Sequence, residues 1–367
     1  MHELPRVCVV GYGVAGRLHH RLLEAAGLRV CTVDPDPALT GVPAGAYNHR
    51  PVEHRSTVRE VSAPVHLWSL CTPTQTHVDA LAAVLERDPR ARVIMEKPAC
   101  RAQDVPRLLG LLEQHPEARV VVMNQYRHAH ALRLLDDLRR RHMPAHPVTA
   151  VRVAFSKDRR ADMEAGRFVD RDHGVFGYEW PHMLAVASRL LPPDAYRAYV
   201  ESPVEDVRGV VHEDYFVTTA RERATVADGV ELELYSSVVG DPPGAADVPD
   251  WVRAFGRSTG GRRRLAQIQA GPALFTAELD PVAPADGGRL PDNTHRLTAH
   301  LPTGRQEMLV NDSPMDNALR IAVAQLFGDL PLPPVDLRPV HRISALAGHF
   351  GRDRAPAAVA QLGGGVA

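Results

Sequence analysis

The feature that most constrains the fold is a regular alternation of two kinds of segment in the first third of the chain. Short apolar runs rich in β-branched residues are separated by segments whose apolar residues recur at helical spacing. The apolar runs are 6–13, 28–34, 65–72, 91–97 and 118–124, and the helical segments are 16–27, 76–88 and 104–115. Buried strands joined by amphipathic helices predict an α/β fold with a doubly wound parallel sheet.

The first apolar run leads into a glycine-rich loop with the sequence "VVGYGVAG". Its first glycine permits a tight turn, its second lets the backbone approach a pyrophosphate, and its third lets the next helix pack closely on the strand. The N-terminus of that helix faces the anion. The residues predicted to contact a dinucleotide here are Gly11, Tyr12, Gly13, Val14, Ala15 and Gly16.

An acidic residue, Asp34, ends the next predicted strand, 23 residues after Gly11. A carboxylate at this spacing accepts hydrogen bonds from the adenosine ribose and repels a 2′-phosphate. The adjoining sequence "DPDP" offers no arginine to bind that phosphate. The predicted cofactor is therefore NAD, with NADP less favoured.

The fourth apolar run, 91–97, ends in a lysine, Lys97. Lys97 and Lys157 are the only lysines among the 43 basic residues, and the others are all arginine. The carboxyl ends of parallel strands form the ligand crevice in a doubly wound sheet, so Lys97 is expected there. A lysine can exchange a proton when its environment disfavours the ammonium form, whereas arginine stays protonated. Lys97 is thus the predicted proton donor and acceptor.

Three motifs, "VVGYGVAGRLHH", "CTPTQTHVDAL" and "MEKPA", occur in this order within the first 130 residues. In sequence and spacing they resemble the glucose–fructose oxidoreductase/inositol 2-dehydrogenase (Gfo/Idh/MocA) family. The resemblance implies a Rossmann domain that binds NAD(P) at the strand ends, followed by a mainly antiparallel sheet domain. It also implies that Lys97 contacts the reacting hydroxyl or carbonyl.

The resemblance assigns further residues to the same region. Glu96 lies beside the nicotinamide with Lys97, and Asn124 lies near the sugar. The cofactor's central and nicotinamide-ribose portion is surrounded by Thr72, Pro73 and His77. From the residues alone, the favoured interpretations are a surface position at a helix start for His77 and a turn at a strand end for Asn124.

The pattern changes after residue 148. Longer runs with alternating polarity and a helical segment at 179–191 predict a large, mainly antiparallel, open-faced sheet with helices on one face. The segment 128–141 is predicted as a helix. These observations give an N-terminal NAD-binding domain at 1–127 and an α+β substrate-binding and oligomerisation domain at 128–367.

The first helix of the second domain departs from the family pattern. Relatives carry Asp-x-Gly-x-His, whereas this chain has "YEWPH" at 178–182. His182 remains as a predicted catalytic residue that assists Lys97 in proton exchange. Tyr178 replaces the aspartate and is predicted to hydrogen-bond the substrate, while Glu179 is expected to point elsewhere. Lys157, which follows a predicted strand, faces the substrate by resemblance or is a solvated strand end.

Composition excludes several classes of protein. The net charge is −1 and the pI is about 7.0, so the sequence does not predict a nucleic-acid or membrane partner. The four cysteines contain no CxxC pair and are expected to be reduced core thiols, which predicts a cytoplasmic protein. The chain has 19 histidines but no HExxH or similar ligand spacing, so no metal site is predicted. His19 and His20 are expected on a helix surface.

The predicted function is hydride transfer between NAD and a secondary alcohol or ketone of a sugar, cyclitol or aminocyclitol-like substrate. Two alternatives remain open. One is an eliminating or glycoside-cleaving enzyme that oxidises its substrate transiently. The other is a non-catalytic NAD-binding sensor, which the altered "YEWPH" motif favours and Lys97 argues against. The resemblance further implies a homodimer or homotetramer.

Overall fold

The computed structural model describes residues 5–36, 53–165, 170, 172–240, 248–255, 261–282 and 290–351. The chain divides into two compact units. The first comprises Met1–Gln125 and Met315–Val340, and the second comprises Tyr126–Pro314 and His341–Ala367. The predicted second domain was contiguous from residue 128 onward, whereas residues 315–340 return to the first unit.

The first unit is built on a six-stranded parallel sheet. Its strands are β1 (Arg6–Val10), β2 (Arg29–Val33), β3 (Glu53–Arg55), β4 (Leu67–Leu70), β5 (Arg92–Met95) and β6 (Arg119–Val122). Their order in the sheet is β3-β2-β1-β4-β5-β6, and every pairing is parallel. This is the strand order of a dinucleotide-binding sheet, with its topological switch between β1 and β4. The predicted doubly wound fold is confirmed.

Helices cover both faces of this sheet. They are α1 (Val14–Ala25), α2 (His77–Arg87), α3 (Val105–Gln114) and, after the second unit, α10 (Pro314–Phe327). One core joins α2 and α3 to residues such as Trp68 and Met95. The other core joins Leu23 of α1 to Ile94 of the sheet and to Ala318, Leu319, Ala322 and Leu326 of α10. A segment distant in sequence thus completes one of the two faces.

The second unit is built on an eight-stranded, mainly antiparallel sheet, as predicted. Its strands are β7 (Val148–Lys157), β8 (Asp206–His212), β9 (Phe216–Val226), β10 (Val230–Ser237), β11 (Arg262–Ala270), β12 (Ala273–Glu278), β13 (Thr294–Leu301) and β14 (Gly304–Asn311). The order is β14-β13-β12-β11-β7-β10-β9-β8, and only the β7–β10 pairing is parallel. β8 and β9 form a hairpin, and so do β11 and β12. From the sequence alone, each of these hairpins was predicted as one long strand.

The helices of the second unit are α4 (His130–His142), α5 (Arg160–Glu164), α6 (Val175–Tyr178), α7 (Trp180–Leu190), α8 (Pro193–Glu201), α9 (Asp250–Arg253) and α11 (Arg338–His349), which begins in the first unit. One large core lies between α4, α7, α8 and the face of the sheet that carries Val151, Val153 and Phe155. The opposite face carries cross-strand ion pairs such as Arg221–Glu233. No described helix is long and apolar enough to cross a membrane.

Candidate active site

The turn after β1 depends on two glycines. Gly11 has a φ of 88°, and its N–H donates to the carbonyl of Val33 over 2.8 Å. A Cβ at Gly11 would lie 2.7 Å from the backbone nitrogen of Thr72, and a Cβ at Gly16 would lie 1.9 Å from the carbonyl oxygen of Gly11. Any side chain at either position would therefore force α1 or the loop away from the sheet.

The middle glycine has a different environment. Gly13 precedes the first residue of α1, and a Cβ built there meets no described heavy atom within 4 Å. Val14, next in the chain, is 75% exposed. Open space therefore lies over the first, unsatisfied N–H groups of a 12-residue helix. These residues fit the pyrophosphate of a dinucleotide, because backbone donors and the helix dipole favour an anion there.

Asp34 is held beside this loop. Its carboxylate accepts from the N–H of Tyr12 over 2.6 Å and from the N–H of Asp36 over 2.9 Å. The neighbouring strand brings Arg55 to the same edge, because the Asp34 N–H donates to the Arg55 carbonyl. The sequence around Asp34 gave no sign of this arginine, which is distant in the chain. Its guanidinium lies 3.0 Å from Glu53.

His77 connects two loops at the carboxyl edge of the sheet. The imidazole is buried, with Nε2 2.8 Å from the Thr72 carbonyl and Nδ1 2.9 Å from the Pro98 carbonyl. Burial lowers the pKa of His77. A neutral ring has one N–H, so it donates to one carbonyl at a time. Whichever carbonyl accepts the proton, the His77 ring lies between the loop after β4 and Pro98, the residue that follows Lys97. Direct contact of Thr72, Pro73 or His77 with a cofactor stays a prediction.

Lys97 lies two residues beyond β5, and its side chain is half-buried. The Nζ has no hydrogen bond or ion pair with any residue in the described part of the chain. Its backbone N–H donates to the Glu96 carboxylate over 3.2 Å. Asn124 follows the adjacent strand, and its neighbour Met123 donates to the Met95 carbonyl. The fold thus brings Lys97 and Asn124 to the same edge of one sheet.

A buried chain of polar groups supports Glu96. Nε2 of His19 lies 2.9 Å from Oε1 of Glu96, and Nδ1 of His19 lies 2.8 Å from Oγ of Ser69. Burial alone would raise the pKa of Glu96, but the hydrogen bond from His19 and the charges of His19 and Lys97 hold that pKa well below its usual range. Burial would lower the pKa of His19, but the Cys71 sulfur and Glu96 outweigh it and raise the pKa to about 10. Both shifts favour an imidazolium paired with a carboxylate.

The prediction that His19 and His20 lie on a helix surface was wrong. Both are buried, and Nδ1 of His20 lies 2.8 Å from the Tyr12 hydroxyl. The buried positions of α1 are Gly16, His19, His20 and Leu23. These are spaced i, i+3, i+4 and i+7, which is the signature of a core-facing stripe. That spacing was the signal in the sequence, and reading histidine as a polar surface residue concealed it.

In the second unit, His182 lies on α7 with its ring half-buried. The ring centroid is 5.4 Å from Tyr126 and 6.3 Å from Phe155. The Tyr178 hydroxyl accepts from the Asp170 N–H over 2.9 Å, and the guanidinium of Arg159 lies 4.6 Å over the Tyr178 ring. Burial raises the pKa of Tyr178.

The two other predicted polar residues of this region are linked through Arg159. Nζ of Lys157 lies 2.8 Å from Asp162, which also lies 3.7 Å from Arg159. Glu179 is buried and lies 3.0 Å from the same arginine. The sequence analysis did not single out Arg159, which contacts the Tyr178 ring and Asp162, the partner of Lys157. The described residues contain no cluster able to hold a metal ion.

Comparison with known proteins agrees with this geometry. Residues 5–126 match the GFO_IDH_MocA model, an oxidoreductase family with an NAD-binding Rossmann fold. No curated protein sequence matches the chain.

Solved structures match over almost the whole length. They include GenD2 from gentamicin A biosynthesis in complex with NAD, with 17% identity over 94% of this chain and 93% of that one and a TM-score of 0.62. UDP-N-acetylglucosamine 3-dehydrogenase GnnA from Acidithiobacillus ferrooxidans has 16% identity over 95% and 97%, with a TM-score of 0.64. KijD10, a 3-ketoreductase from Actinomadura kijaniata in complex with TDP-benzene and NADP, has 13% identity over 94% and 96%, with a TM-score of 0.67.

At these identities the solved structures establish the fold of the chain, and the family model establishes the kind of N-terminal domain. Both agree with the glycine loop and the strand order of the first unit. The predicted resemblance is confirmed for the N-terminal part of the chain: residues 5–126 match the NAD-binding Rossmann fold of the GFO_IDH_MocA oxidoreductase family.

Proposed function

We propose that the protein transfers hydride between NAD and a secondary alcohol or ketone of a sugar, cyclitol or aminocyclitol-like substrate, with Lys97 as the proton donor and acceptor. The observation that carries this proposal is the environment of Lys97. Its amine has no partner among the described residues, while its backbone is held by a buried carboxylate. Names of the similar structures support the substrate class, since they include a sugar-nucleotide dehydrogenase and a 3-ketoreductase.

The residues divide the work as follows. The bound nicotinamide supplies the two-electron acceptor or donor for a hydride. In the oxidative direction, the Lys97 amine would take the hydroxyl proton while the carbinol C–H bond breaks, its hydride leaves and a carbonyl forms; reduction is the reverse. The Glu96 carboxylate accepts from the Lys97 N–H and fixes the backbone from which the amine extends. His182 and Tyr178 remain proposed catalytic and substrate-binding residues of the second unit, and Lys157 and Asn124 proposed substrate-binding residues.

NAD is proposed in preference to NADP. The Asp34 carboxylate lies beside the glycine loop, directly after β2, and it accepts from the backbone N–H groups of Tyr12 and Asp36. Arg55, the nearest candidate for a 2′-phosphate, lies against Glu53. A carboxylate beside the ribose favours the unphosphorylated cofactor.

The test is the variant Lys97→Met, assayed with a panel of sugars and cyclitols by NADH formation. We expect kcat to fall by about three orders of magnitude or more, since proton transfer contributes roughly 10²–10⁴-fold. The dissociation constant for NADH should stay within about twofold. Arg107→Met, which removes an exposed cation of the same unit, is the control. Near-normal turnover in Lys97→Met would reject the mechanism, and wild-type protein that binds NAD but reduces it with no polyol would favour a sensor.

A further inference from the structure

The second unit contains a group of arginines that the proposed chemistry does not use. The arginine cluster consists of Arg159, Arg262 and Arg264. In the antiparallel β7–β11 pair, Arg262 stands opposite Lys157 and Arg264 stands opposite Phe155. Directly opposed residues of a pair share one face of a sheet. Arg262, Arg264 and Lys157 therefore lie on the face that carries Phe155 and packs against α7.

This face also carries the proposed catalytic histidine. The guanidinium of Arg264 lies 5.6 Å from the Tyr126 ring and 5.7 Å from the Phe155 ring. The His182 ring contacts the same two aromatic residues. Arg264 and His182 are thus neighbours through a shared aromatic wall, although they are distant in the sequence.

The cluster has more positive than negative charge. Asp162 pairs with Lys157 and Arg159, and Glu179 pairs with Arg159. Among the described residues, no carboxylate forms an ion pair with Arg262 or Arg264. In the described part of the chain, the guanidinium of Arg264 donates to the backbone carbonyl of Asp280, and its buried Nε has no hydrogen-bond partner.

The surroundings of Arg262 add to this imbalance. Burial and then the charge of Arg264 lower the pKa of Arg262, and the charge of Arg159 acts in the same direction, while the charge of Glu179 opposes them. Guanidinium groups nevertheless remain protonated in proteins. Half-buried cations that repel each other raise the free energy of the empty protein, and a bound anion lowers it.

The adjacent arginine on the same strand shows what a purely structural arginine looks like here. Arg263 points to the opposite face, is 7% exposed, and donates to the Val252 carbonyl over 3.0 Å. By contrast, Arg262 and Arg264 are each partly exposed. Arg262 and Arg264 therefore each keep some solvent-accessible surface, whereas Arg263 is almost completely buried.

We propose that Arg262 and Arg264 bind an oxyanion carried by the substrate, either a carboxylate or a phosphate ester. This inference rests on the proposed function and narrows its substrate class to acidic or phosphorylated sugars and cyclitols. The planar guanidinium offers paired N–H donors that match both kinds of oxyanion. Tyr126 and Phe155 support Arg264 from one side, and Lys157 adds positive charge at the end of the neighbouring strand.

The binding test compares D-glucuronate, D-glucose 6-phosphate and D-glucose by calorimetry on the full-length protein with saturating NAD. We expect at least one charged sugar to bind tenfold or more tightly than glucose, with an advantage that shrinks as salt rises. Whichever charged sugar binds more tightly identifies the anion. If neither binds more tightly than glucose, the inference is overturned.

The matching variant is the double substitution Arg262→Met and Arg264→Met. Its affinity for the charged sugar should fall roughly tenfold to a hundredfold while its affinity for glucose is unchanged. Arg262→Lys keeps a positive charge and should retain part of the preference for the charged sugar. This variant keeps the inference testable if the double variant misfolds. Arg208→Met removes an exposed arginine of the same unit and serves as control. A preference that survives in the double variant would also overturn the inference.

Turnover separates this inference from the proposed function. Wild-type protein that oxidises neutral polyols with the same kcat/KM as charged ones leaves the proposed function intact and removes the anion site. If a charged sugar binds tightly through both arginines but no polyol yields NADH, the anion site is supported and the proposed function is rejected.

Discussion

In each unit a buried ion pair joins two described residues, and these two pairs differ in what surrounds them. In the first unit, His19 pairs with Glu96, the residue before Lys97. In the second, Arg342 pairs with Glu222, and both side chains are 2% exposed. Both pairs carry the cost of removing charges from water. Only the first contains an imidazole and lies next to a lysine whose amine has no partner among the described residues.

The second pair is part of a closed network. The Tyr199 hydroxyl donates to Glu222 over 2.6 Å, and Arg342 also donates to the Ser202 and Pro203 carbonyls. Its guanidinium lies 4.5 Å over the Tyr199 ring. These contacts join α8 and α11 to β9, and the Arg342 side chain is buried, including its Nε, which has no partner among the described residues. Burial of a charge pair alone therefore does not indicate function, whereas a buried charge pair next to an unpaired reactive group marks a candidate functional site.

The largest expected effect comes from breaking the closed pair. Arg342→Met leaves the Glu222 carboxylate buried without its cation, which should reduce the free energy of unfolding by about 3–5 kcal/mol. Urea-induced unfolding followed by circular dichroism measures this loss. The control is Arg320→Met, which removes an exposed pair with Asp316 and should cost less than about 1 kcal/mol. Equal losses in the two variants would contradict the structural role of the pair.

Breaking the other pair should affect both stability and catalysis. Glu96→Gln leaves the His19 imidazolium buried without a counter-charge, at a cost of about 1–3 kcal/mol. Because Glu96 also fixes the Lys97 backbone, kcat/KM should fall about tenfold to a hundredfold. Glu222→Gln is the matched variant, and it should lower stability while kcat/KM is unchanged. Loss of activity in both, or in neither, would remove the distinction between the pairs.

The two pairs should also respond differently to pH. The pKa of His19 is raised to about 10, so its contribution to stability is complete below the unfolded value of about 6.5 and is lost as pH rises through the folded value. The stability difference between wild type and His19→Gln should therefore shrink between about pH 6.5 and pH 10. Arg342 stays protonated across this range, so the Arg342→Met difference should not shrink in the same way. Parallel pH dependences would contradict a charged His19.

The smallest effect concerns a third buried carboxylate, which binds backbone donors instead of a cation. Asp34→Asn keeps the shape of the side chain but removes its charge, so unfolding should change by less than about 1.5 kcal/mol. Affinity for NADH should fall up to about tenfold, and discrimination against NADPH should weaken. Fluorescence titration with both cofactors measures this, and Asp79→Asn, at an exposed position, is the control. An unchanged preference would show that Asp34 does not select the cofactor.

The sequence predicted those parts of the structure in which local spacing decides the outcome. Gly11 and Gly16 were identified because each serves a contact within one strand–turn–helix unit. Lys97 was identified because a strand end fixes where a residue lies. His19 was missed as a functional residue because its partner, Glu96, is 77 residues away. Arg262 and Arg264 were missed because their significance depends on the register of β11 against β7, which no local pattern specifies.

The return of α10 to the first unit has a consequence for synthesis of the protein. Ala318, Leu319, Ala322 and Leu326 fill one face of the six-stranded sheet, yet they leave the ribosome after the entire eight-stranded sheet has been made. At a translation rate of roughly 5–20 residues per second, that face of the sheet stays uncovered for about 10–40 s before α10 is synthesised. Nascent chains should therefore expose an apolar surface during translation, and a fragment ending near residue 125 should aggregate unless residues 315–327 are supplied as well.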